Sequence, residues 1–217
     1  MELLGAEKTA ARMRDDITAR RLALPWVKVE KNYLFKENRR EVSLFELFED
    51  HSQLIVYHFM FDCDWQDGCK RCSFIADHYE RSIVHLRQRD VAFVSVSRAG
   101  WEKLDTFKRK MNWTFRWVSS DGSDFNRDFG VSFSSEESAT GSGNYNYRDN
   151  NAFPVTEAPG LSVFAKDHKD VIFHTYSCYG RGLENLIGTY HYLDLVPMGR
   201  NEGGKGMDWV RLNDDYP

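Results

Sequence analysis

The pattern of apolar and polar residues predicts strands that alternate with helices. A nearly unbroken apolar run at 54–61 predicts a strand buried on both faces, and the β-branched run at 91–97 predicts another strand. Apolar residues at three- and four-residue spacing predict helices over 72–86 and 101–111. We therefore expect a central mixed sheet covered by helices on both faces. Weaker patterns predict a helix at 6–21, a hairpin within 26–42, a capped helix at 43–48, a strand at 115–118, a short helix at 125–129, a hairpin at 161–176 and a helical face at 183–193.

The 217 residues are predicted to form a single domain with three additions to its core. Residues 1–24 form an N-terminal helical extension. Residues 132–152, rich in Ser, Gly and Asn, are interpreted as a mobile loop insertion. Residues 199–217, which include a glycine-rich run, are interpreted as a tail that lies loosely on the surface.

Composition excludes several classes of protein. Hydrophobic residues make up 41 % and charged residues 29 %, which is too apolar for a disordered chain and too charged for a membrane protein. The net charge of −4 argues against a nucleic-acid partner, because such proteins normally carry a basic face. No apolar stretch approaches the ~20 residues that span a bilayer, and no secretory signal is recognised. We expect a cytoplasmic protein without a membrane partner.

The most informative feature is the sequence Cys69-Lys-Arg-Cys72, which lies between a predicted strand and a predicted helix. Three residues make about one helical turn, so the two sulfurs would lie on the same side of the helix. The free amides and the dipole at a helix N-terminus stabilise a thiolate on the first cysteine. The pattern thus predicts an exposed, attacking Cys69 and a buried, resolving Cys72. We expect neither a metal nor another cofactor.

Two other interpretations of the cysteine pair remain open. A Cys-x-x-Cys is often half of a zinc site, for which Cys63, His58 and His78 could supply further ligands. The cysteines could also be inert, buried thiols. No second closely spaced ligand pair exists in the sequence, and the strand before the pair favours redox chemistry.

Short motifs surround the cysteine pair and continue along the chain: His58-Phe-Met-Phe61, Trp65 with Gly68-Cys69-x-x-Cys72-Ser73-Phe74, Val94-Ser-Val-Ser-Arg98, Trp117-Val-Ser-Ser120, Ser123-Asp-Phe-Asn126, Pro159-Gly-Leu-Ser-Val-Phe164 and His174-Thr-Tyr-Ser177. In combination these motifs resemble the thioredoxin superfamily, and more closely a bacterial family of thioredoxin-like proteins of unknown function. The resemblance runs from about Tyr33 to the tail and implies a thioredoxin-like fold. The loop before Cys69 is longer than in thioredoxin, and Lys-Arg replaces the usual Gly-Pro.

The resemblance also implies roles for individual residues. Cys69 matches the nucleophile and Cys72 the resolving cysteine. Pro159 matches the cis-proline that faces the dithiol and shapes the substrate groove. His58 falls where thioredoxins carry a buried acid beneath the second cysteine, so it is a candidate base, with a structural role in the strand as the alternative. Trp65 is a candidate groove wall, with core packing as its alternative.

The sequence therefore predicts a thiol-disulfide oxidoreductase. Its partners would be a disulfide-containing protein or small molecule and a cellular thiol reductant. A peroxiredoxin-like thiol peroxidase is the second interpretation, but Gln66 stands where peroxiredoxins have a threonine before the reactive cysteine. A non-catalytic binding module is the third. Arg98 is interpreted as a solvated surface residue.

Overall fold

Eight strands form one mixed sheet, with the strand that precedes the dithiol near its centre. The computed structural model describes residues 1–216, so Pro217, the last residue of the predicted tail, lies outside the described residues. The strands are β1 (Val27–Lys28), β2 (Leu34–Glu37), β3 (Arg40–Ser43), β4 (Gln53–His58), β5 (Val91–Ser97), β6 (Arg116–Ser119), β7 (Gly160–Lys166) and β8 (Ile172–Tyr179). The helices are α1 (Glu2–Leu22), α2 (Lys70–Tyr79), α3 (Ile83–Arg87), α4 (Trp101–Lys110), α5 (Phe125–Asp128), α6 (Ser135–Thr140) and α7 (Gly188–Leu193), with 3-10 helices at Glu46–Phe48 and Gly180–Leu186.

The strand order β1-β8-β7-β4-β5-β6-β2-β3 has a thioredoxin-like centre. β4 runs parallel to β5 and antiparallel to β7, and β8 returns antiparallel beside β7. α2 and α3 connect β4 to β5, and α7 follows β8. A parallel βαβ unit joined to a hairpin and a final helix is the arrangement of the thioredoxin-like fold. The predicted α/β fold class, with its mixed sheet, flanking helices and N-terminal helical extension, is confirmed.

Side chains of β4 alternate between two cores, one on each face of the sheet. Tyr57 enters the core that contains Cys72, here called the dithiol-side core. Val56 enters the core that contains Phe125, here called the far-side core. Burial on both faces explains the continuous apolar run of β4, because neither face of this central strand meets water.

A hairpin and a helix cap form where local sequence signals predict them. β2 and β3 pair through the two-residue turn Asn38-Arg39, in which both residues adopt positive φ, 44° and 64°. Ser43 and Glu46 form the predicted capping box: the Ser43 N–H donates to Glu46 Oε2 at 2.7 Å, and the Glu46 N–H donates to Ser43 Oγ at 3.3 Å. The short helix that the box opens is a 3-10 helix.

The N-terminal helix makes little contact with the rest of the domain: in its last turn, the Arg21 guanidinium lies 5.4 Å from the centroid of the Tyr176 ring. α1 is longer than the predicted 6–21, and none of its residues is buried. Its apolar positions, such as Met13 and Ile17, therefore face solvent, and the helix depends on the high helix propensity of its Ala, Arg and Glu residues. No helix in the described part of the chain is both long and apolar enough to cross a membrane.

The predicted loop insertion is partly helical and contributes to the core, which corrects the interpretation of 132–152 as a mobile loop. Ser134 Oγ accepts from the Glu137 N–H at 3.1 Å, and the Glu137 carboxylate accepts from the Ser134 N–H at 2.8 Å, so α6 begins with a capping box. Phe133 and Tyr145 are buried and pack with Val131, Ala158 and Tyr179 in a small separate core. The polar composition of the segment concealed these local signals.

The C-terminal segment is anchored to the domain, so the prediction that 199–217 lies loosely on the surface is wrong for its second half. Val210 and Leu212 are buried in the dithiol-side core. Asp208 forms an ion pair with Arg71 of α2 at 3.0 Å. Two apolar side chains at a spacing of two are a weak signal after a glycine-rich run, and their burial depends on a surface that α2 supplies.

We expect Val210→Ala to lower the free energy of unfolding by about 2 kcal/mol, because it removes two fully buried methyl groups and leaves a cavity. Val196→Ala makes the same change at a side chain that is 48 % exposed and should alter stability by less than about 0.5 kcal/mol. Urea unfolding measures both values. Equal, small effects of the two substitutions would contradict the anchored tail.

Candidate active site at the Cys69 and Cys72 pair

Cys69 lies at the N-terminus of α2 and is held there by main-chain hydrogen bonds. Its N–H donates to the Met60 carbonyl at 3.0 Å, and its carbonyl accepts from the Ser73 N–H at 2.9 Å. The preceding residue is Gly68, where a Cβ atom would lie 2.8 Å from the Phe59 ring. Absence of a side chain at this position thus lets the loop return tightly to the strand and present Cys69 as the N-cap.

The surroundings of Cys69 favour its thiolate. Cys69 is partly exposed, and the pKa of its thiol is lowered to about 6. The largest cause is a hydrogen bond from the Cys72 thiol, which outweighs burial, and the N–H groups of Cys72 and Arg71 contribute with the Arg71 charge. A helix N-terminus thus acts on this sulfur as the sequence predicts.

Cys72 lies one turn further and has the opposite environment. It is 1 % exposed, and burial, followed by the neighbouring Cys69 sulfur, raises the pKa of its thiol well above the usual value. The Met60 N–H donates to Cys72 Sγ at 3.5 Å. Both thiols are free in this structure. The pair therefore combines a partly exposed sulfur whose thiolate is favoured with a buried sulfur whose protonated form is favoured.

His58 lies on the wrong face of the sheet for the predicted catalytic role. Its ring stacks on Phe125 and Phe129 in the far-side core, and its Nε2 is 2.8 Å from Ser162 Oγ. Burial lowers the pKa of His58 to about 3, so the imidazole is neutral. Successive residues of a strand point to opposite faces, which separates His58 from Cys72 by the thickness of the sheet. His58 therefore does not lie beneath Cys72 as predicted, and its role is the alternative one, a structural role in the strand.

Sequence reasoning missed Tyr57, which occupies the place predicted for His58. Tyr57 is fully buried in the dithiol-side core together with Cys72, and its hydroxyl has no conventional hydrogen-bond partner. Desolvation first, and then Cys72, raise the pKa of the Tyr57 phenol well above its ordinary value. Period-two alternation along β4 was the available signal, because α2 packs on the face that Tyr57 shares with Phe59.

Pro159 does not form the cis bond that the resemblance implies. No peptide bond within residues 1–216 is cis. The Ala158 N–H donates to the Val131 carbonyl at 2.8 Å, and the Tyr145 hydroxyl donates to the Pro159 carbonyl at 2.8 Å. These contacts fix the backbone on both sides of the trans bond. Tyr145 lies near enough to Cys72 for the charge of that sulfur to raise its pKa, although burial is the main cause.

The other predicted residues lie around the dithiol in different ways. Trp65 packs against the dithiol-side core and its carbonyl accepts from Lys103 Nζ at 2.8 Å, so the structure assigns it a packing contact. Cys63 donates to the Arg98 carbonyl at 3.1 Å, and burial raises its pKa. Burial also raises the pKa of Cys178. Neither of these two cysteines has an environment that favours a thiolate.

The residues named for a zinc site do not come together. His58 lies in the far-side core, and His78 lies between the Phe74 carbonyl at 2.6 Å and Thr189 Oγ1 at 2.8 Å. Across residues 1–216, no group of three or more His, Cys, Asp and Glu side chains has the arrangement of a metal site.

A buried charge cluster fixes the loops at the edge of the sheet nearest the dithiol. Arg98 is half-buried, not a free surface residue, and pairs with Asp62 at 2.9 Å and Glu157 at 3.0 Å. Burial raises the pKa of Asp62, but hydrogen bonds from Thr156 and Arg98 outweigh it and hold that pKa below its usual value. Burial raises the pKa of Glu157 to about 8 against the attraction of Arg98. The Arg98 guanidinium thus balances the charge of the Asp62 carboxylate, and Glu157 keeps its proton at neutral pH.

The chain belongs to DUF899, a family described as bacterial protein of unknown function, whose model matches residues 1–216. This finding confirms the resemblance to a bacterial family. No curated protein matches the chain in sequence.

Solved peroxiredoxin structures are similar to this chain at low sequence identity. A cysteine mutant of PrxQ from Xylella fastidiosa is 11 % identical, and the match covers 77 % of this chain and 94 % of that chain with a TM-score of 0.47. Peroxidoxin BcpB from Mycobacterium tuberculosis is 10 % identical over 76 % of this chain and 94 % of its own, with a TM-score of 0.48. The mitochondrial 2-Cys peroxiredoxin from Plasmodium falciparum is 12 % identical over 76 % and 93 %, with a TM-score of 0.46. The fold assignment rests on the strand order described above.

We expect iodoacetamide to modify Cys69 first, with a half-maximal rate near pH 6. Mass spectrometry of peptides across a pH series gives the rate for each cysteine. Cys63 and Cys178 should require more alkaline solution than an ordinary thiol, because burial raises their pKa. Cys72→Ala removes the donor to Cys69 and should move the Cys69 midpoint to higher pH. The assignment fails if Cys63 or Cys178 reacts first at neutral pH.

Titration of Glu157 predicts a pH dependence of stability. The pKa is about 8 in the folded chain and 4.5 ordinarily, so folding favours the protonated acid. Its contribution to the free energy of unfolding is present below pH ~4.5 and is lost as the pH rises through ~8. The difference in the free energy of unfolding between the wild type and Glu157→Gln, measured by urea unfolding, should therefore fall as the pH rises from ~4.5 to ~8. Glu136→Gln, at an exposed glutamate, is the control. A flat difference for Glu157→Gln would contradict the protonated acid.

Proposed function

We propose that this protein is a thiol-disulfide oxidoreductase in which Cys69 attacks and Cys72 resolves. One observation carries the proposal: the pKa values of two thiols one helical turn apart are shifted in opposite directions. The pKa of Cys69 is lowered to about 6, and the pKa of Cys72 is raised well above its usual value. At neutral pH the partly exposed sulfur is the nucleophile, and the buried sulfur keeps its proton until it is needed.

The proposed reaction transfers two electrons from the two thiols to a disulfide. The Cys69 thiolate attacks one sulfur of the substrate, forming a mixed disulfide and releasing the first substrate thiolate. Cys72 then loses its proton to the solvent and attacks Cys69 Sγ. This second step forms the Cys69–Cys72 disulfide and releases the other substrate thiolate, so the substrate is reduced and the protein is oxidised.

The proposal includes the partners that this electron balance requires. The substrate is a protein or a small molecule that contains a disulfide. A cellular thiol reductant returns two electrons to the Cys69–Cys72 disulfide. The sulfurs carry the electrons themselves, so no cofactor takes part. We place this cycle in the cytoplasm, because its reducing environment keeps cysteines as free thiols. Four cysteines in 217 residues are also too few for a disulfide scaffold.

Peroxide reduction is the second candidate, because a partly exposed thiolate beside a resolving thiol also suits that chemistry. Cys69 would take one oxygen from the peroxide to form a sulfenic acid and release an alcohol or water. Condensation with Cys72 would then form the same disulfide and a second water. We rank it second because Gln66 replaces the threonine of the peroxiredoxin motif.

We expect Cys72→Ser to accumulate a mixed disulfide with insulin chains, since the first attack proceeds and resolution does not. Gel shift and mass spectrometry detect the adduct at Cys69, and dithiothreitol should release it. Cys69→Ser should form no adduct, and Cys178→Ser, the same change outside the pair, should turn over like the wild type.

Hydrogen peroxide as the oxidant separates the alternatives. Rapid peroxide consumption without insulin reduction would replace the proposal by the peroxidase. Failure of both oxidants to engage Cys69 would leave the fold as a non-catalytic binding module.

A further inference from the structure

We infer that Tyr57 is a positioning residue for the resolving cysteine, whose thiolate it stabilises by donating a hydrogen bond from its buried hydroxyl. The inference rests on the proposed oxidoreductase function and concerns its second step alone. It does not concern the activation of Cys69, whose pKa is lowered chiefly by the Cys72 thiol and also by the N–H groups of Cys72 and Arg71 and the Arg71 charge.

The position of Tyr57 is fixed by the centre of the sheet. Its backbone pairs with Ser95 of β5 on one side and Leu161 of β7 on the other. Its ring lies 5.4 Å from the Tyr79 ring and 6.2 Å from the Phe59 ring, measured between centroids. A side chain enclosed in this way cannot turn its hydroxyl toward water.

The hydroxyl of Tyr57 has no ordinary partner. Among the buried side chains of the described chain, it is one of few polar atoms that make no conventional hydrogen bond. The Cys72 thiol, a weak acceptor while it is protonated, is buried in the same dithiol-side core and raises the pKa of the Tyr57 phenol. An unsatisfied buried hydroxyl is costly, and such a group in a folded protein calls for an explanation. A thiolate at Cys72 supplies the missing acceptor.

The resolving step creates that acceptor. Cys72 must lose its proton in a site where burial strongly disfavours a charge. The Met60 N–H is one donor to Cys72 Sγ, at 3.5 Å. Tyr57 supplies a second, and hydrogen bonds to a charged acceptor are stronger than those to a neutral one. Because burial raises the pKa of Tyr57 well above its ordinary value, the phenol keeps its proton and acts as a donor, not as a base.

Three other titratable groups face Cys72, and none can replace Tyr57. Cys69 is consumed in the mixed disulfide when the second step begins. The Tyr79 hydroxyl is paired with a serine of β5 at 2.7 Å. The Tyr145 hydroxyl donates to a main-chain carbonyl and accepts from a main-chain N–H. Within residues 1–216, the Tyr57 hydroxyl is the side-chain donor that remains free for Cys72.

The two steps can be separated with dithionitrobenzoate, a disulfide that releases one coloured thiolate at each attack. The experiment uses the full chain with Cys63→Ser and Cys178→Ser, so that the pair alone reacts. Attack by Cys69 releases the first coloured thiolate, and attack by Cys72 on the mixed disulfide releases the second. Stopped-flow absorbance across a pH series gives both rates.

We expect Tyr57→Phe to slow the second release at neutral pH by about tenfold, the size that loss of one hydrogen bond to a charged group implies. The pH midpoint of that release should move to higher pH, while the first release and the alkylation midpoint of Cys69 stay unchanged. Tyr79→Phe is the matched control, because it removes a buried hydroxyl of the same core that is bonded elsewhere. It should leave both releases unchanged.

A second variant keeps the shape of the side chain. Site-specific 3-fluorotyrosine at position 57 has a more acidic phenol and is a stronger donor, so the midpoint of the second release should move to lower pH. If Tyr57→Phe does not fold, this variant decides. An unmoved midpoint in the fluorinated protein, or equal shifts in Tyr57→Phe and Tyr79→Phe, overturns the inference.

The same assay distinguishes failure of the inference from failure of the proposed function. Release of a single coloured thiolate, with no Cys69–Cys72 disulfide in the mass spectrum, refutes the oxidoreductase itself and the inference with it. Two releases and that disulfide, with rates indifferent to Tyr57, refute the inference alone.

Discussion

The pleat of β4 decides which groups can act on the dithiol. Because both faces of this strand are buried, a shift of one residue moves a side chain from one core to the other. Tyr57 lies in the core that contains Cys72, whereas the next residue, His58, stacks on phenylalanines at the opposite face. The same constraint desolvates Cys72, since α2 must cover the face that Tyr57 occupies, and it leaves Cys69 at the rim where the helix begins.

The two sulfurs form one electrostatic unit. The Cys72 thiol donates to Cys69 and lowers its pKa, and the charge on Cys69 in turn adds to the burial that raises the pKa of Cys72. Such a pair titrates jointly. In the proposed cycle Cys69 loses its negative charge when it enters a mixed disulfide, so the first step would remove one of the obstacles to the second. What remains is desolvation, which only a donor inside the core can offset.

Much of the fold could be predicted from sequence because its signals are local or periodic. The apolar run of β4, the Asn38-Arg39 turn and the capping box at Ser43 each need only neighbouring residues. The partly exposed position of Cys69 and the buried position of Cys72 also follow from spacing, since a helix begins at the first and its apolar face includes the second. The resemblance did not identify the residue beneath Cys72. A match in sequence gives the position of a residue along the strand, but it does not give the face of the sheet to which its side chain points. The backbone at Pro159 depends on contacts from distant segments, which no local pattern encodes.

Segments outside the thioredoxin-like core contact the surroundings of the two cysteines. Phe153, which follows the insertion, and Met207 of the tail both pack against the dithiol-side core. Asp208 pairs with Arg71, whose charge is one of the groups that lower the pKa of Cys69. This ion pair orients the guanidinium and also partly neutralises it, and solvent screens both effects because the two side chains are about half exposed. The tail therefore acts on the Cys69 sulfur through the position of one arginine, while its buried valine and leucine keep it beside the helix that carries both cysteines.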